Sequence, residues 1–73
     1  MEPETEYILD NIRKKRLEKG ISVLNLSLDA EIAHSHLFYI ESKRIVPSVD
    51  VLVRIAKALN IKVSELVDNK AKK

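Results

Sequence analysis

Three consecutive pieces of the chain decide its fold: Ser22-Val-Leu-Asn-Leu-Ser-Leu-Asp-Ala30, Glu31-Ile-Ala33 and His34-Ser-His-Leu-Phe-Tyr-Ile-Glu-Ser42. Ser22 is a favoured N-cap, because its hydroxyl oxygen can accept from a backbone N–H that a starting helix leaves unpaired. Behind it, Val23, Leu26, Leu28 and Ala30 supply apolar positions for about two helical turns. Glu31 to Ala33 breaks that pattern. A further helix then runs from His34 to Ser42, with Leu37 and Ile40 as its inward pair at i, i+3 and Ala33 helping at its start. A short helix, a turn of about three residues and a second short helix make a helix-turn-helix layout.

The flanking sequence extends the same pattern. A first helix is expected from Tyr7 to Lys19, opened by Thr5 or Glu6. Ile8, Ile12 and Arg16 share one face of it at spacing four, and Gly20 is its stop. Residues 1–6, with Pro3, are expected to form a flexible arm. Lys43 to Pro47 is a connection, since Pro47 pushes the preceding residue out of helical geometry. Ser48 caps a fourth helix, Val49 to Leu59, whose Val49, Leu52, Ile55, Ala56 and Leu59 are the cleanest helical signal in the chain. Asn60 suits a left-handed C-terminal position. Ser64 is expected to cap a short fifth helix, Glu65 to about Asn69, before a frayed basic tail at 70–73. The fold class is therefore all-α, a five-helix bundle in one domain over residues 7–69.

The 73 residues are 45% apolar and 33% charged, with one Gly, two Pro and three aromatic residues. That composition excludes a disordered chain and asks for an aliphatic core. A core this small needs close helix packing or a partner subunit. With no Cys and no secretory signal pattern, the expected location is cytoplasmic. No apolar run is long enough for a membrane span. The net charge of +2 is small, so its placement matters more than its sum. Glu2, Glu4, Glu6 and Asp10 are followed at once by Arg13, Lys14, Lys15, Arg16 and Lys19. The next cations are Lys43 and Arg44.

The ordered set Ile12-Arg-Lys-Lys-Arg-Leu-Glu-Lys-Gly-Ile-Ser22, Leu26, Ile32, Leu37, Ile40-Glu41, Pro47-Ser48 and Leu52-Val-Arg-Ile-Ala-Lys-Ala-Leu-Asn-Ile-Lys-Val-Ser-Glu-Leu66 resembles the Cro/phage-repressor (Xre-like) helix-turn-helix domains. The likeness spans about residues 8–67. It implies a five-helix bundle of the phage-repressor type whose third helix enters the DNA major groove, and dimers on palindromic sites. Carried over by position, it makes His34, Ser35, Phe38 and Tyr39 the base-reading candidates. Val23, at the start of the second helix, and the Ser42, Lys43, Arg44 corner become the backbone-contacting positions. It also implies a structural salt bridge between Arg16 and Glu41. Dimerisation is expected through Leu59, Ile61, Val63 and Val67 of the last two helices. The chain departs from the pattern in four places. Val23 stands where Gln commonly bonds a phosphate. Glu31 and Lys43 stand where Gly is usual. Ala33 stands where Ser or Thr usually caps.

The residues at these positions allow two readings. Phe38 can pack on a thymine methyl, Tyr39 can do that or bond a phosphate, and Ser and His can bond base edges. Alternatively, Phe38 and Tyr39 are apolar surface covered by a partner protein. Lys43 and Arg44 clamp phosphates or belong to an ordinary solvated turn; for Arg13, Lys14 and Lys15 a solvated face is expected. His34 and His36, two apart, point in different directions, and with no Cys to join them no metal site is expected. No cofactor is implied, and no catalytic set or Gly-rich phosphate loop suggests an enzyme. The expected function is a sequence-specific transcriptional regulator, a repressor, binding palindromic double-stranded DNA as a homodimer. The alternative is a protein-interaction module of the same fold, antitoxin-like or a co-regulator.

Overall fold

The computed structural model describes residues 1–68, which form five helices: α1 Pro3–Glu18, α2 Val23–Ala30, α3 His34–Glu41, α4 Val49–Ala58 and α5 Val63–Val67. The tail expected at 70–73 lies outside the described residues. So does Asn69, the expected end of the fifth helix.

Helix α1 starts earlier than expected. Pro3 occupies its first turn, with Glu4 and Glu6 beside it, so most of the expected arm at 1–6 is helix. The physical reason is that an N–H in the first turn has no helical acceptor, so proline loses nothing there. The two carboxylates then sit at the positive end of the helix dipole. The buried face of α1 carries Leu9, Ile12 and Arg16.

In α2, the Ser22 hydroxyl accepts from the Asn25 N–H at 3.0 Å. Leu26 and Ala30 are buried, but the third buried position is Ser27, and Leu28 points outward. Spacing accounts for this: Leu28 is two residues from Leu26 and turns away from it. Ser27 tolerates the interior because its hydroxyl donates to Leu24 O at 2.7 Å. Helix α4 is capped as expected, with the Ser48 hydroxyl accepting from the Val51 N–H at 3.2 Å. In α5 the cap is different. Ser64 lies inside the helix, Lys62 takes the N-cap position, and the Glu65 carboxylate accepts from the Lys62 N–H at 3.2 Å, the reciprocal half of a capping box.

After each of the first four helices the chain turns through a left-handed residue: Gly20 (φ 66°), Glu31 (φ 59°), Lys43 (φ 67°) and Asn60 (φ 59°). Glycine fits this geometry without strain and asparagine tolerates it, whereas Glu31 and Lys43 adopt it against their Cβ sterics. Arg54 of α4 reaches across to the first of these two turns, donating from Nη1 to Glu31 O at 3.3 Å while its Nε bonds Asp50.

Helix α2 packs against α3 and α4, and α1 against α3 and α5. Between them lies an aliphatic core in which Ile12, Leu26, Leu37, Ile40, Ile55 and Leu66 have no solvent exposure. The two ends of the fold are joined by side-chain bonds. Tyr7 OH donates to Asp68 O at 2.7 Å, and Asn11 Nδ2 donates to Leu66 O at 2.8 Å.

Candidate nucleic-acid interface

Burying Leu37 and Ile40 fixes the rotation of α3. His34, Ser35, Phe38 and Tyr39 are consequently all exposed, and their i, i+1, i+4, i+5 spacing makes them one continuous strip. Phe38 keeps 53% and Tyr39 38% of its surface in solvent, a large outlay of aromatic area on a helix of eight residues. Their rings meet edge to face, with centroids 5.7 Å apart. Helix α3 begins at Ala33 without a side-chain cap, so its first N–H groups remain available to an external acceptor.

The corner after α3 holds the two cations. Arg44 lies over the Tyr39 ring, its guanidinium carbon 5.9 Å from the centroid, within cation–π range. The Arg44 N–H bonds Tyr39 O at 2.9 Å. Lys43 instead points to α1, where its ammonium is 3.0 Å from Asp10 Oδ1. The Ser42 hydroxyl donates to Tyr39 O at 3.2 Å.

Val23 is half-buried and lines an open groove with Arg13, Arg16, Phe38, Glu41 and Ser42. The groove brings together the start of α2, the outer face of α3 and one side of α1. Arg13 is the residue that sequence reasoning passed over. Its place in a run of cations suggested a solvated helix face, but the crossing of α1 and α3 brings it beside Phe38 and Ser42. A signal was present in its spacing: Arg13 precedes Arg16 by three residues, so it shares a side of α1 with the residue that reaches α3.

At the floor of the groove, Arg16 and Glu41 bond through two parallel contacts, Nε to Oε2 at 2.7 Å and Nη2 to Oε1 at 2.9 Å. Arg16 Nη1 also donates to Ile21 O at 2.9 Å. Both side chains are almost out of solvent. Hydrogen bonding to Glu41 holds the Arg16 guanidinium above its ordinary pKa; burial opposes this, and the charge of Glu41 reinforces it. The pair therefore sets the angle between α1 and α3 without offering a free charge to a ligand.

The expected dimer residues separate. Leu59 is fully buried and belongs to the core, because it completes the inward face of α4 beside Ile55 and Ala56. It cannot serve an interface. Ile61 and Val63 are half-buried against the core, and Val67 is 44% exposed. His34 is exposed and His36 half-buried, and no three metal-ligating side chains cluster among the described residues. Among the described residues no helix is long and apolar enough to cross a membrane.

The helix-turn-helix family model matches residues 12–66. The chain belongs to the Xre-like helix-turn-helix family. Family membership supports a DNA-binding transcriptional regulator. Two solved structures share this Xre-like fold. The restriction-modification controller protein C.AhdI from Aeromonas hydrophila superposes with a TM-score of 0.80 at 24% identity, over 86% of this chain and 94% of its own. The hypothetical transcription factor NHTF from Neisseria superposes with a TM-score of 0.84 at 22% identity, over 93% of this chain and 79% of its own. Among curated proteins, no sequence matches significantly.

Proposed function

We propose that this protein is a sequence-specific transcriptional regulator of the cytoplasm, a repressor that binds a palindromic operator as a homodimer. Helix α3 enters the major groove of each half-site. The observation that carries this reading is the solvent-facing strip of His34, Ser35, Phe38 and Tyr39, with Arg13 in the groove beside Phe38 and with Lys43 and Arg44 at the corner that follows α3. Cations at the edges contact phosphates and fix the register, while the strip meets base edges. The names of the two structural relatives, a controller protein and a transcription factor, agree with it. With no Arg, Asn or Gln on α3, apolar packing on thymine methyls by Phe38 and DNA shape carry more of the specificity than bidentate hydrogen bonds. Ile61, Val63 and Val67 supply the dimer contact.

Selection of bound sites from a random DNA pool tests this directly. A recovered palindrome whose half-site centres lie about one helical turn apart supports it. Recovery of no preferred sequence, together with no binding at low salt, refutes it. The second reading, a protein-interaction module, is favoured by the apolar surface that Leu24 and Leu28 of α2 and Phe38 of α3 leave in solvent. A tight protein complex in the absence of any DNA binding would establish it.

A further inference from the structure

The two corner cations have different partners within the chain. Arg44 lies on an aromatic ring of the reading strip itself. Lys43 is held by a carboxylate of a different helix, Asp10, at 3.0 Å. Both members of this ion pair are partly exposed, 37% for Lys43 and 62% for Asp10, so a phosphate that reaches the ammonium meets the Asp10 carboxylate beside it. The left-handed backbone at Lys43 and its N–H bond to Ile40 O at 3.0 Å fix where the side chain departs. An anion near that point stays near it when DNA approaches.

We infer that Asp10 is an affinity-determining residue for DNA: its carboxylate occupies Lys43 in the free protein and withholds that cation from the phosphate backbone. The inference rests on the DNA-binding reading above. Each cation that neutralises a phosphate releases condensed counterions and steepens the salt dependence of binding. A lysine already neutralised by its own carboxylate releases fewer, because binding exchanges one ion pair for another and leaves the displaced carboxylate facing a polyanion. This phosphate effect is independent of sequence, so Asp10 lowers the background affinity for all DNA and keeps the protein from being retained on random duplex.

The test is a fluorescence-anisotropy titration of the full chain against a labelled random-sequence duplex over a series of salt concentrations. Four variants are compared with the parent: Asp10→Asn, Lys43→Ala, the double variant, and Glu4→Gln as a control that removes one negative charge elsewhere. The expected result is tighter binding by Asp10→Asn, by several-fold more than by Glu4→Gln. Its slope of log affinity against log salt should steepen by about 0.9, the value for one additional phosphate contact on duplex DNA. Lys43→Ala should abolish that gain in the double variant. Weaker binding by Asp10→Asn would overturn the inference and make Asp10 a support that aims Lys43 at the phosphate. A gain equal to that of Glu4→Gln would overturn it too, leaving only net charge. Binding by no variant at low salt would overturn the DNA-binding reading itself, and the inference with it.

Discussion

Arg16 and Glu41, 25 positions apart, are joined by two hydrogen bonds of 2.7 and 2.9 Å, one to each carboxylate oxygen. The third guanidinium contact, to Ile21 O, leaves Arg16 bonded to the residue that leads into α2. One arginine thus fixes α1, the α1–α2 connection and the end of α3. Replacing Glu41 by Ala strands a buried cation and is expected to cost about 3 kcal/mol. The double variant Arg16→Met, Glu41→Leu should recover much of that loss, since it leaves no unpaired charge. Urea unfolding of the two singles and the double measures both quantities. A folded-state pKa raised above the unfolded value gives stability that is complete below the unfolded value and lost only as pH rises through the folded one. With both values strongly alkaline, the contribution of Arg16 should stay constant across neutral pH.

Glu31 adopts φ 59° in a turn where glycine meets no Cβ penalty. Glu31→Gly should therefore raise stability by up to about 1 kcal/mol, partly offset by the greater freedom of glycine in the unfolded chain. Thermal unfolding followed by circular dichroism would show a higher midpoint. A lower midpoint would mean that the Glu31 side chain makes a compensating contact.

Helix α3 starts without a side-chain cap at Ala33, where φ and ψ are already extended. Ala33→Ser places a hydroxyl in the geometry that Ser22 and Ser48 use, and should add about 1 kcal/mol. Chemical denaturation reads the gain. An unchanged midpoint would show that the new hydroxyl does not reach the α3 N–H groups.

Phe38→Ala and Arg44→Ala should fail in different ways. Removing Phe38 takes away apolar contact with the bases. It should relax sequence preference at one position by about 1 kcal/mol or more, with the salt dependence unchanged. Removing Arg44 should weaken binding to all sequences alike and flatten the salt slope by about 0.9. Titrations of selected and scrambled duplexes at several salt concentrations separate the two patterns.

Val67 is 44% exposed and sits at the end of α5. Val67→Glu should preserve the fold, because the side chain is not part of the core, and should shift a dimer towards monomer. Sedimentation of the parent and the variant at matched concentrations checks this.

The legible parts of the fold were those governed by local rules. Ser22 and Ser48 announced their helices because a hydroxyl just before a helix can accept from an N–H that the first turn leaves unpaired. In α4 the later members of the pattern, Leu52, Ile55, Ala56 and Leu59, turn inward, whereas its first member, Val49, is 76% exposed at the helix start, where little packs against it. Pro3 and Ser64 misled about where helices start. Pro3 suggests a loop on composition alone, although the first helical turn accepts it. Ser64 resembles a cap, but Val63 already packs against the core and draws the helix start back to Lys62. The candidate interface was less legible because it depends on helix crossings. Nothing local to Asp10 states that Lys43 will face it, and the spacing of Arg13 from Arg16 names a side of α1 but not the side chains of α3 that meet it. Arg13 joins the groove and Asp10 meets Lys43 only after α1 crosses α3. Leu59 was legible as core from the α4 spacing; only the family resemblance assigned it to an interface, and its burial removes it.

The bonds from Tyr7 to Asp68 and from Asn11 to Leu66 close a loop spanning nearly all of the described chain. The α2–α3 and α2–α4 contacts, by comparison, need much shorter closures. Loop closure costs more entropy as the loop grows, so the middle helices can assemble early and the docking of α5 on α1 completes the structure. Opening should proceed in the reverse order, with α5 leaving first and α1 losing its support. Because α1 carries Asp10, Arg13 and Arg16, its seat on α3 sets the charge pattern of the reading face, and the docking of α5 on α1 helps to hold that seat.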